Sequence, residues 1–183
     1  MIGNHDRRFP HGRSDSRLYR ALFGRTNYAF DRGPCRFVVV DSSARRVTPG
    51  QLRWLDRVLD TRGPKFVFTH IPPETVCNWS RYSAAGAVAS FRHGAREFTG
   101  ILSRRRADRV YLGHIHAFGV QDFEGVRYVL TGGGGSPLFP SGVGDRFHHY
   151  LVVSAGPAGI TETLHCRDGR QVAIPSGKVI LSR

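Results

Sequence analysis

Several things are scarce in this 183-residue chain. Lysine is nearly missing: Lys65 and Lys178 are the only two among 27 basic residues. Acidic residues number 14, so the formal net charge is +13. An arginine bias of this kind is what a GC-rich genome gives regardless of function. The arginines are also scattered, apart from the run Arg104, Arg105 and Arg106. The charge therefore does not call for a nucleic-acid partner, and none is expected; small phosphate-bearing substrates would be drawn to it. Cysteine is limited to Cys35, Cys77 and Cys166, with no CxxC pair and no zinc-finger spacing. An odd number excludes a complete disulfide framework and predicts free or buried thiols, hence a reducing, cytoplasmic setting. No apolar run approaches the roughly 18 residues of a membrane helix, and no membrane association is expected. The longest clean apolar stretch is Phe37 to Val40. The opening residues Met1 to Asp6 lack the basic region and apolar block of a secretory signal. There is no internal repeat and no low-complexity linker.

What is present has an ordinary globular balance, 40% hydrophobic and 22% charged, in a length that suits one domain. Val- and Phe-rich segments at Asn27–Phe30, Cys35–Asp41, Lys65–Thr69 and Arg109–Leu112 read as strands. Thr48-Pro49-Gly50-Gln51 opens a helix: Thr48 caps it, Pro49 fits the first turn, and Gln51 completes a capping box. Leu52, Leu55, Val58 and Leu59 give that helix an apolar face. Ala95–Arg106 is the next predicted helix, and Leu18–Phe23 a short helix or turn. Val120–Phe123 and Val126–Thr131 read as a hairpin about Glu124-Gly125. Tyr150–Ser154, Gly159–His165 and Gln171–Ile174 are further strands. A β-α-β-α-β order followed by a run of strands predicts an α/β sheet stacked against a second, more antiparallel one.

Three short motifs carry the chemistry: Gly3-Asn4-His5-Asp6, Thr69-His70-Ile71-Pro72-Pro73 and Gly113-His114-Ile115-His116. The last two each follow the carboxyl end of an apolar strand, where ligand crevices of α/β sheets form. His70, His114 and His116 are therefore expected in one cleft, where imidazole and amide oxygen suit zinc, manganese or iron. Taken singly, GNHD reads as an ordinary polar loop and His-x-His as chance; together, in this order, they are hard to explain blandly.

The chain resembles the calcineurin-like metallophosphoesterases, a superfamily that includes purple acid phosphatases and cyclic-nucleotide phosphodiesterases. Its five ordered blocks are DxH, GDxxD, GNH(D/E), (G)HxPP and GHxH, and this sequence matches the last three. Thr69 stands where Gly or an apolar residue is common. The resemblance implies a metallophosphoesterase sandwich of two stacked mixed β-sheets flanked by helices. It implies hydrolysis of phosphodiesters or phosphomonoesters by a hydroxide bound to two divalent metals, manganese, iron or zinc. Asn4, His70 and His114 would ligate the second metal and His116 the first. His5 would face the substrate phosphate as general acid or transition-state stabiliser, and Asp6 would hold the loop in place.

The DxH and GDxxD blocks are missing. In the family they supply two ligands to the first metal and the carboxylate that bridges both, spacing them at ~3.5–4 Å. Without them the first metal keeps His116 alone, and the second keeps three neutral ligands. The chain is therefore expected to be the C-terminal part, residues 1–183, of a single domain whose first strands are missing, leaving an open sheet edge. An N-terminal truncation is the favoured explanation, ahead of a degraded paralogue and of a separate polypeptide supplying the missing half. The alternative to an active enzyme is a partial metal-binding fragment.

Gly132 to Gly135 lacks the GK[ST] ending of a phosphate loop and reads as a loop lining the cleft. His148 and His149 are expected at the surface beside it. Asp31, Asp41 and Asp145 read as turn residues. Trp79, Tyr82 and His93 lie where substrate selectivity could arise, and His11 has no evident role.

Overall fold

The computed structural model describes residues 1–8, 15–76, 90–138 and 147–175. A short 3₁₀ turn, Asn4–Asp6, precedes α1 (Arg17–Phe23), β1 (Tyr28–Arg32), β2 (Cys35–Val40), α2 (Pro49–Val58) and β3 (Lys65–Thr69). Then come α3 (Ala95–Arg104), β4 (Arg109–Leu112), β5 (Phe118–Phe123), β6 (Val126–Thr131), β7 (His149–Gly156), β8 (Gly159–Cys166) and β9 (Gln171–Ala173). The predicted elements form within a few residues of their expected bounds. The Thr48 cap closes as its sequence required: Gln51 N–H donates to Thr48 Oγ1 at 3.3 Å and Thr48 N–H to Gln51 Oε1 at 2.9 Å.

The first six strands make one sheet in the order β1-β2-β3-β4-β6-β5, and the last three make an antiparallel sheet β7-β8-β9. Strands β2, β3, β4 and β6 are parallel, with β1 and β5 antiparallel at the two edges. The parallel register aligns their carboxyl ends. Val40 faces Thr69, Thr69 faces Leu112, and Leu112 faces Leu130. The segments beginning Asp41, His70, Gly113 and Gly132 therefore all leave the sheet along one edge.

Alternation along the strands builds two cores. Val38, Val40, Val67, Val110 and Leu112 point to one face and meet Leu55 of α2, Leu59 just after it, and Phe98 and Leu102 of α3. Each of these fully buried side chains contributes roughly 1.5–3 kcal/mol. Phe66, Tyr111 and Val129 point the other way and meet Leu164 and Cys166 of the small sheet. Cys35 and Cys166 are both free and buried there, as the thiol reading expected, while Cys77 lies outside the described residues.

A buried polar clamp joins the sheets. Glu162 of β8, 3% exposed, accepts Tyr111 O–H at 2.7 Å and Arg109 Nε–H at 2.9 Å. Paired in this way, the carboxylate escapes the several kcal/mol that an isolated buried charge costs. Burial, and then the Glu162 charge, push the Tyr111 hydroxyl above its ordinary pKa. Among the described residues no helix is long and apolar enough to cross a membrane.

Candidate metal centre

Two of the sheet's exit loops and the N-terminal turn bring three donor-capable side-chain atoms together. Asn4 Oδ1 lies 3.0 Å from His70 Nε2 and 2.9 Å from His114 Nδ1. The two imidazoles meet edge to face, 5.3 Å between centroids. For ligands about 2.1 Å from an octahedral cation, neighbouring donors are roughly 3.0 Å apart, so this spacing fits a shared metal as well as a hydrogen-bonded cluster.

His70 follows β3 directly. Burial and the neighbouring His114 push its pKa down to about 4; Asp6 opposes the shift, and His5 and His116 add to it. The ring is therefore neutral at ordinary pH, the form a metal ligand needs. The glycines of two motifs make room for it. A Cβ on Gly3 would stand 3.2 Å from its ring carbon and Nε2, and one on Gly113 would stand 3.2 Å from its Nδ1.

His114 sits in a tight turn. Gly113 N–H donates to His70 O at 3.0 Å and Ile115 N–H to Gly113 O at 2.7 Å. The residue between, His114, has φ +69°, a left-handed value that costs a side-chain-bearing residue about 1–3 kcal/mol. Ile115, 1% exposed, sinks into the helix-side core and anchors the loop so that the flanking histidines face outward. A Cβ on Gly132 would overlap the Ile115 carbonyl, which explains the first glycine of the Gly-rich segment.

His116 is not in the three-atom cluster. Its Nδ1 is 2.7 Å from Pro137 O, and since a carbonyl only accepts, that nitrogen carries the proton. The lone pair of the neutral ring is then on Nε2, the tautomer expected of a ligand held by a backbone carbonyl. His5 is exposed on the 3₁₀ turn, close enough for its charge to act on His70. Asp6 accepts Gly3 N–H at 2.7 Å and closes that turn.

The turn is fastened by a pair that sequence reading missed. Arg7 donates to Asp41 Oδ2 at 3.2 Å and to Ser43 Oγ at 2.6 Å. The Arg7 and Asp41 side chains are 11% and 8% exposed. Asp41 Oδ1 also accepts Ser43 N–H at 2.9 Å and the Ser43 hydroxyl. Asp41 is thus a buried ion-pair partner and not merely a turn residue. Its position at the end of a Val-rich strand was the signal available. Asp31 lies within β1 and binds Arg36 across the hairpin. His149 is a second correction: it is 7% exposed and packs edge-on to Phe118, at the first position of β7. His148 is half-buried, with Nδ1 3.2 Å from Gly133 O. His93 is exposed, and only its backbone is engaged, accepting Val47 N–H at 3.0 Å. His11, Trp79, Tyr82 and Asp145 lie outside the described residues.

The donor set fits one cation and not two. Among the described residues no group of three His, Cys, Asp or Glu side chains converges on a metal-sized space. The cluster at Asn4 counts two histidines and an amide, with no carboxylate among the three.

No protein-family model matches the chain, and no curated protein matches it. Solved structures do. Purple acid phosphatase PPD1 from yellow lupin seeds superposes with TM-score 0.72 at 14% identity, over 93% of this chain and 38% of that one. GAP50, the anchor in the inner membrane complex of Plasmodium, gives 0.59 at 14% identity, over 84% of this chain and 54% of that one. The chain shares its fold with these structures, purple acid phosphatase among them, as the motif resemblance implied. The chain spans less than two thirds of the length of either structure.

Proposed function

We propose that this fold serves metal-dependent hydrolysis of phosphate esters, with the described residues forming one cation-binding half of the site. The observation that carries the reading is the convergence of His70 Nε2 and His114 Nδ1 on Asn4 Oδ1 within 3.0 Å. Asn4, His70 and His114 hold one divalent cation. His116, its tautomer set by Pro137 O, would offer Nε2 to a second manganese, iron or zinc ion only beside a bridging carboxylate, which the described residues do not supply. A divalent cation supplies Lewis acidity to a phosphoryl oxygen and lowers the pKa of water. His5 stands exposed on the adjoining turn, where its ring N–H donates to a phosphoryl or leaving-group oxygen. Asp6 and the Arg7–Asp41 pair keep that turn in place. The net charge of +13 concentrates anionic phosphate esters, mono- or diester, around the chain.

A second reading is a cation-binding module without turnover. The lack of any carboxylate in the cluster among the described residues favours it, since a bridging acid would space two cations. Hydrolysis of p-nitrophenyl phosphate and bis(p-nitrophenyl) phosphate, with manganese added to the metal-freed chain, separates the two. Manganese-dependent turnover that disappears in His5→Ala while cation binding persists supports the hydrolase. Binding without turnover supports the module, and no binding sinks both.

A further inference from the structure

Beyond the end of β2, beside the first turn of α2, lies a polar pocket of about 230 Å³. Arg7, Asn27, Asp41, Arg46, Thr48 and Gln51 line it. It shares the carboxyl edge of the large sheet with the Asn4–His70–His114 cluster. Val40 faces Thr69 in register, so Asp41 and His70 leave adjacent strands about 4.8 Å apart. The 3₁₀ turn joins the two places. Asn4 reaches the cluster, and Arg7, whose N–H donates to Asn4 O at 3.4 Å, walls the pocket. The pocket stands with α2 on the helix side of the sheet, whereas Met1 lies in the cleft on the opposite face, with Phe66 and Tyr111.

The chemistry of the walls selects an anion. Their acceptors are engaged within the protein. Asn27 Oδ1 takes the Asp41 N–H and the Gln51 amide N–H, both at 2.9 Å. Gln51 Oε1 takes the Thr48 N–H and hydroxyl, both at 2.9 Å. The Asp41 carboxylate accepts once from Arg7 and twice from Ser43. Donors are what remain. Arg46 is exposed and enters no ion pair among the described residues, which leaves its guanidinium fork open. The Asn27 amide nitrogen touches only Thr26 Oγ1, at 3.4 Å, and keeps a second N–H. Two guanidiniums against one carboxylate make the pocket net positive. The fork and the amide together match the three oxygens of a phosphate monoester better than the two of a carboxylate. The volume is below the roughly 300–1,000 Å³ that encloses a whole drug-sized ligand, so the pocket takes one group of a substrate. We infer that it binds the second phosphate of a small bisphosphate whose scissile ester lies at the cation cluster. The anion site stands on the pocket alone; its pairing with the cluster rests on the function proposed above.

Inorganic phosphate titrated into the full chain in EDTA tests the anion site first. Chloride at about 0.15 M screens the diffuse charge of +13. Phosphate should move the side-chain amide signals of Asn27 and Gln51 in nitrogen–proton correlation spectra. Arg46→Gln, at an exposed position that leaves the fold intact, should weaken phosphate binding about tenfold or more. Arg53→Gln, exposed on α2 and outside the pocket, removes the same charge and should not. Acetate should bind more weakly than phosphate. The site is overturned if phosphate does not bind, if those amide signals stay in place, or if the two variants weaken binding equally. Acetate binding as well as phosphate overturns the bisphosphate assignment. Calorimetry with manganese then tests the pairing. A propanediol bisphosphate should bind about tenfold or more tighter than propyl phosphate, and Arg46→Gln should erase the difference. Manganese bound without that gain overturns the pairing and leaves the cation cluster standing. No manganese bound overturns the proposed function and the pairing with it, while the titration in EDTA still decides the anion site.

Discussion

Asn4 and His114 are separated by 110 positions in the chain, yet Asn4 Oδ1 and His114 Nδ1 lie 2.9 Å apart. The contact exists because β4 ends level with β3 and because the N-terminal turn is tied to the segment after β2. Asn4 is the one amide among the three proposed ligands, so Asn4→Asp places a negative charge beside two histidines. At ligand distance this charge raises cation affinity by about tenfold or more, whereas Asn4→Ala lowers it. Manganese titration of both variants against the parent chain checks the opposite signs.

His114 carries the second prediction. Its left-handed φ of +69° is comfortable for glycine and strained for any residue with a Cβ. His114→Gly should therefore be more stable than His114→Ala by about 1 kcal/mol, the reverse of the order at an ordinary helical or strand site. Both should lose cation binding. Urea unfolding of the two variants in EDTA measures the difference, and equal stabilities would mean that the turn relaxes.

His70 makes stability depend on pH in the metal-free chain. Its folded pKa of about 4 lies below the ordinary histidine value of 6.5, so the unfolded chain binds more protons between the two. The stability associated with neutral His70 is fully present above about pH 6.5 and is lost as pH falls toward 4. Unfolding curves across that window in EDTA should show the loss, and His70→Gln should flatten it.

The Arg7–Asp41 pair is the fourth test. Removing the carboxylate in Asp41→Ala leaves a guanidinium in a site only 11% exposed, at a cost of about 3 kcal/mol. Because Arg7 adjoins the Asn4–Asp6 turn, cation affinity should fall too, even though Asp41 touches no ligand atom. Losing stability with unchanged affinity would show that the turn holds without the pair.

Much of this was legible in the sequence because it depends on local patterns. The Thr48–Gln51 capping box, the Lys65–Thr69 and Arg109–Leu112 strands, and the hairpin about Glu124-Gly125 follow from spacing and residue type within a few positions. The cluster of Asn4, His70 and His114 was legible through motif order. What escaped depends on distant partners. Asp41 resembles any acid ending a strand until Arg7 arrives from 34 residues away. Glu162 resembles a surface strand residue until Tyr111 and Arg109 enclose it. The backbone partner of His116, Pro137 O, lies 21 residues on in the chain, which His-x-His spacing does not encode.

Cation stoichiometry tests the central claim most directly. Elemental analysis of the chain equilibrated with manganese or zinc should find one divalent ion per chain, lost in His114→Ala and retained in His116→Ala. Two ions per chain, or one that survives His114→Ala, would contradict the assignment of Asn4, His70 and His114 as a single-cation half-site.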